Sequence, residues 1–453
     1  MSKASSPNLN YKKKRGNRNS NKNKNTKKVQ ETIHKKEKEN DQKEEPIKAG
    51  FFKRLAIPGG LYDKESPAKY QRLVTNPLSI FVMLAICTYL IYLAFMNVPS
   101  ERPLRIIRGF FCGCIIVVMY GALSFKDTAL LRPHPIYWRI GKAVGLLYMT
   151  LMLFLLFQKP EETRKLFTHL FSYPGIGEPF QNSRNYAGDC RIYTPELPNK
   201  FNNVYEATYD IFIVAHFVGW MWKAFLLRER VMCWVTGILF EILEITLVHQ
   251  LPNFGECWWD HLILDLFGCN WLGIELGMYI IKKFKIKEFH WFGRVNPKKK
   301  VKTKWLPKCW QQYQWELFDN PKRFGWVMFI VFFMSVVDLM AFYWKTTLYL
   351  PTQCAVNGLR LLIWWIVGPF GLREAHDYAL SESKSLGDGT LIGIGMLFSE
   401  ILLAYKCSEG LFTNPMPNNI KYPWMVFLSL WFGGALIYFA FIWKKKKTQK
   451  KQN

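Results

Sequence analysis

The sequence of 453 residues lacks the motifs of several large enzyme classes. It contains no Gly-x-x-x-x-Gly-Lys phosphate loop, no Gly-x-Ser-x-Gly turn and no His-Glu-x-x-His zinc pair. The Asp-Gly-x-x-Ala-Arg pattern of CDP-alcohol phosphotransferases is also absent, because Asp388-Gly389 continues as Thr390-Leu391-Ile392. These absences argue against P-loop, nucleophile-elbow and zinc-peptidase chemistry, and they leave no evident site for an activated nucleotide substrate.

Acidic residues are also scarce, with 34 Asp and Glu against 61 Lys and Arg. The basic excess is confined to three stretches. Residues 1–50 hold 15 basic and 6 acidic side chains, residues 282–308 hold 11 and 1, and residues 444–453 hold six basic ones. What remains is a nearly neutral, strongly apolar body, which argues against a soluble globular enzyme and favours a membrane protein.

The N-terminal stretch, residues 1–50, has too few apolar side chains to offset its ordering entropy, so we predict that it is a disordered cytosolic tail. No apolar stretch precedes Phe51, which argues against a cleaved signal peptide. The run Lys12–Arg15 leaves a nuclear signal open, but anionic lipid headgroups are the more natural partner in a multispan protein. No nucleic-acid partner is predicted. Residues 444–453 are predicted to be a second basic cytosolic tail.

The apolar body predicts an all-α polytopic fold of about ten transmembrane helices, because a spanning segment can satisfy its backbone internally only as a helix. We treat residues 51–443 as one transmembrane domain, with a catalytic block at 209–281. The predicted spans are 77–97, 105–125, 136–158, 209–227, 231–248, 261–281, 324–343, 355–371, 390–406 and 423–443.

An even number of spans places both termini on one side of the membrane, and the basic stretches make that side the cytosol. The 159–208 loop, with six basic and six acidic residues, then falls on the opposite side. Four of the ten cysteines lie on that oxidising side, so a disulfide is open there, although the sequence does not assign its partners. These cysteines are Cys190, Cys257, Cys354 and Cys407.

Ionisable and amide side chains collect in the fourth to sixth predicted spans and in the connection between the fifth and the sixth, and within spans such groups mark function by default. Glu241 and Glu244 lie three residues apart and therefore on one helical face. If Pro252 opens a helical turn, Asn253, Glu256 and Asp260 fall at i, i+3 and i+7 and therefore share a face as well. At about 1.5 Å per residue, His216, Glu244 and Asp265 lie in one layer roughly 6–10 Å below the membrane surface. The cluster comprises His216, Glu241, Glu244, Asn253, Glu256, Asp260, Asp265 and Asn270.

Five carboxylates in one layer need a compensating cation, because like charges at that range repel by several kcal/mol. Oxygen ligands without a Cys/His quartet favour a hard cation such as calcium or magnesium. We predict that Glu244, Glu256, Asp260 and Asp265 hold the cation. His216 is then placed to move a proton or to attack phosphorus in a phospholipid headgroup.

Two members of the cluster have alternative roles, and two histidines lie beside it. Glu241 and Asn253 are predicted either to bind the cation directly or to support its ligands. His249 and His261 are interpreted as interfacial residues beside Trp258.

Several strings in this region carry a family resemblance. They are His216-Phe217-x-Gly219-Trp220, Lys223-Ala224, Glu241-x-x-Glu244, His249-x-Leu251-Pro252-Asn253-Phe254-x-Glu256-Cys257-Trp258-Trp259-Asp260, Leu264-Asp265 and, before the third span, Arg132-Pro133-His134-Pro135-x-x-Trp138-Arg139. Together they resemble the eukaryotic base-exchange phosphatidylserine synthases, best over residues 125–320.

The resemblance implies a calcium-dependent exchange in the endoplasmic reticulum membrane. L-serine displaces choline or ethanolamine from phosphatidylcholine or phosphatidylethanolamine, giving phosphatidylserine. By matching positions, the resemblance carries over the whole cluster, with His216, Glu241, Asn253 and Asn270 as the catalytic members. Where the family has a Gly-rich turn after the asparagine, this chain has Trp271-Leu272, and these bulkier side chains are expected to narrow the headgroup pocket.

Two further features concern regulation and location. Arg132 and His134 form either a regulatory pocket with the basic 282–308 loop or a turn fixed by two prolines. Lys450 and Lys451 match the dilysine retrieval pattern of the endoplasmic reticulum, which needs a cytosolic terminus and puts the acidic cluster towards the lumen. The sequence does not decide whether the chain forms a homodimer.

Two other functions compete with base exchange. A metal-dependent lipid phosphodiesterase would use water as the acceptor instead of serine. An ion-coupled transporter would use the acidic cluster as its ion site, and broken helices or inverted repeats would favour it.

Overall fold

A computed structural model describes the chain over residues 77–443, except at 98, 129, 131–133, 172, 179–187, 210, 252–253, 301, 303–304, 306–307, 352–353, 382 and 384. Several predictions therefore concern positions outside the described residues. They are those for the two tails, the run Lys12–Arg15, the pair Lys450 and Lys451, Arg132, Pro252 and Asn253.

The described residues form mostly helices. In chain order these are α1 (Pro77–Phe95), α2 (Arg102–Ser124), α3 (Pro135–Leu156), α4 (Pro160–Leu170), α5 (Asn202–Thr208), α6 (Ile211–Leu227), α7 (Arg230–Leu247), α8 (Trp271–Lys283), α9 (Lys308–Gln311), α10 (Pro321–Thr347), α11 (Ala355–Ala379), α12 (Asp388–Lys406) and α13 (Asn418–Ile437). A π-helix, Asp260–Asn270, runs directly into α8, and a π-helical turn, Tyr438–Trp443, extends α13. Two 3-10 turns, Leu317–Asp319 and Leu411–Thr413, lie between helices.

The prediction of an all-helical membrane protein is confirmed, with a helix at each of the ten predicted positions. Within the described residues, seven helices are long and apolar enough to cross a membrane. The bent pair α5–α6, with a 45° angle, brings the number to eight. Helix α7 and the shorter apolar part of α1, Leu84–Phe95, account for the difference from ten.

One short hairpin departs from the all-α prediction. Strands β1 (Gly293–Val295) and β2 (Tyr313–Trp315) pair antiparallel inside the basic segment between α8 and α10. The buried Glu229, between α6 and α7, accepts hydrogen bonds from the backbone N–H groups of Trp291 and Phe292 and from the Tyr313 hydroxyl. This carboxylate therefore ties the hairpin to the end of α6.

The eighth predicted span is longer than the sequence indicated. Helix α11 continues to Ala379, and the charged Arg360 near its start is paired in the interior. Its guanidinium donates to both oxygens of the fully buried Glu400, at 3.0 and 2.6 Å. The Tyr148 hydroxyl and the Trp364 indole also donate to Glu400, so this ion pair joins α3, α11 and α12.

Helix α8 packs directly on α6 through two glycines spaced four apart. A Cβ at Gly273 would lie 2.6 Å from the Phe217 carbonyl oxygen, and one at Gly277 would lie 2.7 Å from the Ala224 Cβ. Small residues at this spacing allow two membrane helices to approach closely. The close approach brings Asn270, just before α8, against His216 of α6.

We expect Gly273→Leu to destabilise the fold by at least about 1–3 kcal/mol, because the added side chain must separate the backbones of α6 and α8. The measurement is the thermal denaturation midpoint of the purified protein in detergent. Gly325→Ala on α10 is the matched control, since a Cβ there has no neighbour within 4 Å. Equal midpoints for the two variants would contradict the close packing.

Candidate active site

A cavity of about 440 Å³ lies among α6, α7, the π-helix, α10, α11 and α12. Apolar side chains such as Phe333 and Trp364 line much of it. Its polar lining includes five residues of the predicted cluster, namely His216, Glu244, Glu256, Asp260 and Asp265, and four other charged residues, Lys223, Asp338, Lys345 and Arg360. The cavity therefore combines an apolar surface suited to lipid with a concentration of acidic side chains.

Helix α7 supplies two of the carboxylates because its faces differ sharply. Ile238, Ile242 and Ile245 are exposed on its outer face, which suits contact with lipid tails. Glu241 and Glu244 lie on the inner face, and each side chain is only 8% exposed. The predicted sharing of one helical face by the two glutamates is confirmed.

The π-helix supplies three more members at intervals of five residues: Asp260, Asp265 and Asn270. In an α-helix such residues would lie about 140° apart around the axis. The wider turn of a π-helix, with i→i+5 hydrogen bonds, brings them closer to one face, and such helices are frequent at functional sites. The local helix type therefore decides that these three side chains face the same region.

His261 is the centre of the acidic cluster. Its Nδ1 lies 3.3 Å from a Glu241 oxygen, 3.6 Å from a Glu244 oxygen and 3.8 Å from a Glu256 oxygen. The interpretation of His261 as an interfacial residue is therefore wrong, because the side chain is only 10% exposed. Its spacing of four from Asp265 is the sequence signal that could have placed it on the inner face.

Two sets of donor atoms lie close enough together to hold a metal ion. Glu241, Glu244 and His261 form one set, and Glu256, His261 and Asp265 form the other, with ligand atoms within 4.8 Å of one another in each. Of the four predicted metal ligands, Glu244, Glu256 and Asp265 are thus brought together. Asp260 lines the same cavity but belongs to neither set.

His216 is joined to this cluster through Asn270. Its Nε2 lies 2.6 Å from the Asn270 Oδ1, and the Asn270 amide N–H donates to Glu241 at 3.1 Å. Its Nδ1 lies 3.9 Å from an Asp265 oxygen. The Trp220 indole N–H approaches Nε2 at 3.0 Å. The predicted convergence of His216, Glu244 and Asp265 at one depth agrees with this geometry.

Glu256 lies in the connection between α7 and the π-helix. Phe254 has 3-10 conformation and residues 255–257 have no helical structure, whereas Pro252 and Asn253, where the predicted helical turn begins, lie outside the described residues. Burial raises the pKa of Glu256 in this connection; the charges of Asp260 and Glu241 raise it further, while His261 lowers it. An uncompensated carboxylate here is therefore unfavourable, which is the electrostatic setting of a cation site.

Comparison with known proteins bears on the identity of this site. A family model described as "Phosphatidyl serine synthase" matches residues 133–408. The chain belongs to the phosphatidyl serine synthase family. It is therefore an enzyme, a multispan membrane phosphatidyltransferase that makes phosphatidylserine, and the family's substrates are a phospholipid and serine.

Individual relatives support the family assignment. The chain is 35% identical to "CDP-diacylglycerol--serine O-phosphatidyltransferase 2" of Oryza sativa subsp. japonica, over 76% of this chain and 82% of that protein. It is 34% identical to "CDP-diacylglycerol--serine O-phosphatidyltransferase 1" of Arabidopsis thaliana, over 75% of this chain and 80% of that protein. It is 31% identical to "Phosphatidylserine synthase 2" of Homo sapiens, over 72% and 68%.

A disulfide fixes the connection that carries Glu256. Cys257 is bonded to Cys190, 67 residues away, and the Trp259 indole donates to the Cys190 carbonyl oxygen at 3.2 Å. The other two cysteines predicted for this side, Cys354 and Cys407, are buried free thiols. The disulfide therefore links the connection that carries Glu256 to the segment before α5.

We expect Cys190→Ser to lower the thermal midpoint of the purified protein, because opening a loop of this length costs about 4 kcal/mol in the chain-entropy account. The same substitution is expected to weaken phosphatidylserine synthesis, since Glu256 adjoins Cys257. The control is Cys112→Ser, which removes a half-buried free thiol on α2. If both variants behave like the parent protein, the disulfide has no supporting role at the site.

Two remaining predictions concern residues around the site. Trp271 and Leu272 are 48% and 52% exposed and do not line the cavity, so the expectation that they narrow the headgroup pocket is wrong. The His134 side chain accepts a hydrogen bond from the Ile136 N–H at 3.2 Å and so caps α3. This contact fits the turn interpretation of His134, while its predicted partner Arg132 lies outside the described residues.

Proposed function

We propose that this chain catalyses calcium-dependent base exchange, in which L-serine replaces the choline or ethanolamine of an existing phospholipid. The observation that carries the proposal is the acidic cluster beside His216 in the lining of a largely apolar cavity. The plant relatives are named for a CDP-diacylglycerol donor, whereas the animal relatives are named only for their product. The proposal therefore goes beyond the family assignment by naming an existing phospholipid as the donor of the phosphatidyl group.

The candidate region for a nucleotide-linked donor supports base exchange. Asp388-Gly389 lacks the remainder of the CDP-alcohol phosphotransferase pattern. The backbone N–H groups of Gly389 and Thr390 instead donate to Glu374, at 2.8 and 3.2 Å, at the start of α12. These two N–H groups therefore join the start of α12 to Glu374 of α11. Exchange of one phosphodiester for another also needs no activated donor, because the bond made resembles the bond broken.

The acidic cluster suits a calcium ion. Calcium takes six to eight oxygen ligands, and Glu241, Glu244, Glu256 and Asp265 can supply several while water or phosphate completes the shell. His261 is better suited to hold these carboxylates through its N–H than to bind a hard cation itself. A bound calcium ion would neutralise the phosphodiester and stabilise the charge that develops on its oxygens.

The hydrogen bonds of His216 suit the role of general base. An ionised Glu241 has no proton to donate, so it must accept from the Asn270 amide N–H. The other end of the amide, the Asn270 Oδ1, therefore faces His216. Nε2 is also approached at 3.0 Å by the Trp220 indole N–H, a donor that needs the other tautomer. The shorter contact of 2.6 Å with Asn270 favours the tautomer with the proton on Nε2, which leaves the lone pair on Nδ1. Nδ1 then takes the proton of the serine hydroxyl as its oxygen attacks phosphorus. The same proton passes to the departing choline or ethanolamine oxygen.

We further propose that the enzyme resides in the endoplasmic reticulum membrane, with both termini cytosolic and the acidic cluster towards the lumen. The disulfide between Cys190 and Cys257 supports an oxidising compartment on that side. The basic 282–308 segment supports a cytosolic position for the opposite end of the bundle.

We expect an epitope tag inserted after Glu178, in the predicted lumenal loop, to be inaccessible to antibody in cells whose plasma membrane alone is permeabilised. A tag inserted after Lys447, which keeps Lys450 and Lys451 at the carboxyl end, should be accessible in the same cells. The reverse pattern would contradict both the orientation and the lumenal site.

The test of function uses the purified full-length chain in vesicles with labelled L-serine and calcium. Vesicles contain phosphatidylcholine, phosphatidylethanolamine or CDP-diacylglycerol as the donor. Base exchange predicts labelled phosphatidylserine from the first two, release of free choline or ethanolamine, and no reaction after calcium is chelated. Product from CDP-diacylglycerol alone would overturn the proposed donor, and headgroup release without serine incorporation would favour the phosphodiesterase.

A further inference from the structure

An ion pair in the cavity is not used by the mechanism above. The Lys223 ammonium on α6 donates to Asp338 on α10 at 2.6 Å. The side chains are 12% and 25% exposed, and both line the cavity that also contains His216 and Asp265. Charged side chains at membrane depth are costly and generally serve a pathway or a ligand.

The pair lies beside His216. The Lys223 ammonium is 3.9 Å from the centre of the Trp220 ring, whose indole N–H approaches the His216 Nε2 at 3.0 Å. The same ammonium is 5.8 Å from the centre of the Phe240 ring. Two aromatic rings therefore hold the cation in place, one of them in contact with the proposed general base.

We propose that Lys223 and Asp338 form the subsite for the charged groups of free serine, with the serine carboxylate on Lys223 and the serine ammonium on Asp338. This inference rests on the proposed function only in that serine is the acceptor, and it holds for either phospholipid donor. Serine carries one positive and one negative group next to its hydroxyl, so an oppositely charged pair near the base matches its chemistry.

Charge balance favours this assignment. With serine bound, each charge of the zwitterion faces an opposite charge of the protein, so no uncompensated charge enters the cavity. Ethanolamine has the same hydroxyl and ammonium but no carboxylate, and it would leave Lys223 without that partner. A site built to bind a polar group discriminates strongly against an analogue that lacks it. The pair therefore explains how serine can enter where ethanolamine leaves.

A second ion pair in the chain shows what a purely structural pair looks like. Glu400 is fully buried and accepts from Arg360, Tyr148 and Trp364, which locks its position. Asp338 is instead partly open to the cavity and accepts from Lys223. The Lys223 ammonium, which lines the cavity, can donate to a ligand carboxylate in place of Asp338 without breaking a buried hydrogen-bond network.

The test measures the KM for serine and, separately, for ethanolamine as the acceptor, with the purified enzyme in vesicles. We expect Lys223→Met to raise the KM for serine about ten- to a hundredfold and to change the KM for ethanolamine less than about threefold. Asp338→Asn is expected to raise both values, because both acceptors carry an ammonium group. The KM for the donor lipid should stay the same in both variants.

Three results would overturn the proposal. They are an unchanged KM for serine in Lys223→Met, an equal rise for serine and ethanolamine in that variant, and a rise confined to the donor lipid in Asp338→Asn. The last result would assign Asp338 to the donor's choline or ethanolamine cation. Because serine dependence is measurable with any donor that supports synthesis, failure of base exchange itself does not affect this test.

A charge-swapped variant separates ligand binding from a cross-link between α6 and α10. Lys223→Asp with Asp338→Lys keeps an ion pair between the helices but reverses its direction. We expect it to fold like the parent protein in a thermal assay and to retain the raised KM for serine. Recovery of the parent KM would show that the pair only joins the helices. If Lys223→Met does not fold, Lys223→Arg and the swapped variant provide the comparison.

Discussion

Replacing His216 with alanine is expected to reduce phosphatidylserine synthesis by at least about 10²–10⁴-fold, the usual contribution of a general base. The serine hydroxyl is a poor nucleophile until its proton is removed, and His216 is the imidazole whose Nδ1 faces the cavity near Asp265. The measurement is the initial rate of labelled serine incorporation. His169→Ala, on the exposed face of α4, is the matched control.

The partners of His216 refine this prediction. Asn270→Asp should retain a hydrogen bond to Nε2 but place a second negative charge against Glu241, and Asn270→Ala should remove the bond. Both variants are expected to be slower than the parent enzyme and faster than His216→Ala. A labelled phosphatidyl group trapped on His216 would instead show that the imidazole attacks phosphorus itself. Full turnover by His216→Ala would exclude both roles.

The sequence predicted the cluster best where ordinary helix geometry applies. Glu241 and Glu244 fall on one face of α7 because an α-helix repeats every 3.6 residues. Counting residues from the span ends placed His216 of α6 at the depth of both Glu244 and Asp265, and the structure brings His216 and Asp265 within 3.9 Å. Span length and residue spacing were sufficient for these positions.

The spacing of four from Asp265 could have placed His261 on the inner face, but its contacts with Glu241, Glu244 and Glu256 depend on a π-helix and on the irregular residues 255–257, and neither has a clear sequence signature. The partner of Cys257 could not be predicted either, because a separation of 67 positions from Cys190 leaves the pairing undetermined. Trp271 was misplaced for a related reason. A turn expected near the pocket is the continuous start of α8, which directs this side chain outward.

Several carboxylates and one histidine lie close together at membrane depth, and the negative charge of the carboxylates must be balanced there. A protonated His261 beside Glu241, Glu244 and Glu256 compensates only part of their charge. Asp265 adds a further carboxylate to the same donor set. Additional positive charge is required for these groups to remain ionised together, and a divalent cation supplies it without adding bulk.

Asp265→Asn is therefore expected to raise the calcium concentration for half-maximal activity at least about tenfold, because the substitution removes one ligand charge. The shape of the side chain is nearly unchanged, so the protein should fold normally without calcium. Calcium should raise the thermal midpoint of the parent protein and have a smaller effect on Asp265→Asn, since a ligand stabilises the state that binds it.

The matched control for Asp265→Asn is Glu178→Gln, which removes an exposed carboxylate outside the cluster. It should keep the parent's calcium dependence in both assays, because a carboxylate in contact with water gains little from an ion. The two readouts separate metal binding from catalysis. A loss of activity with an unchanged calcium shift of the thermal midpoint would place Asp265 in the chemistry and leave the ion to the other carboxylates. Full activity with an unchanged calcium requirement would show that Asp265 does not hold the cation, and the ligand set would then reduce to Glu241, Glu244 and Glu256 around His261.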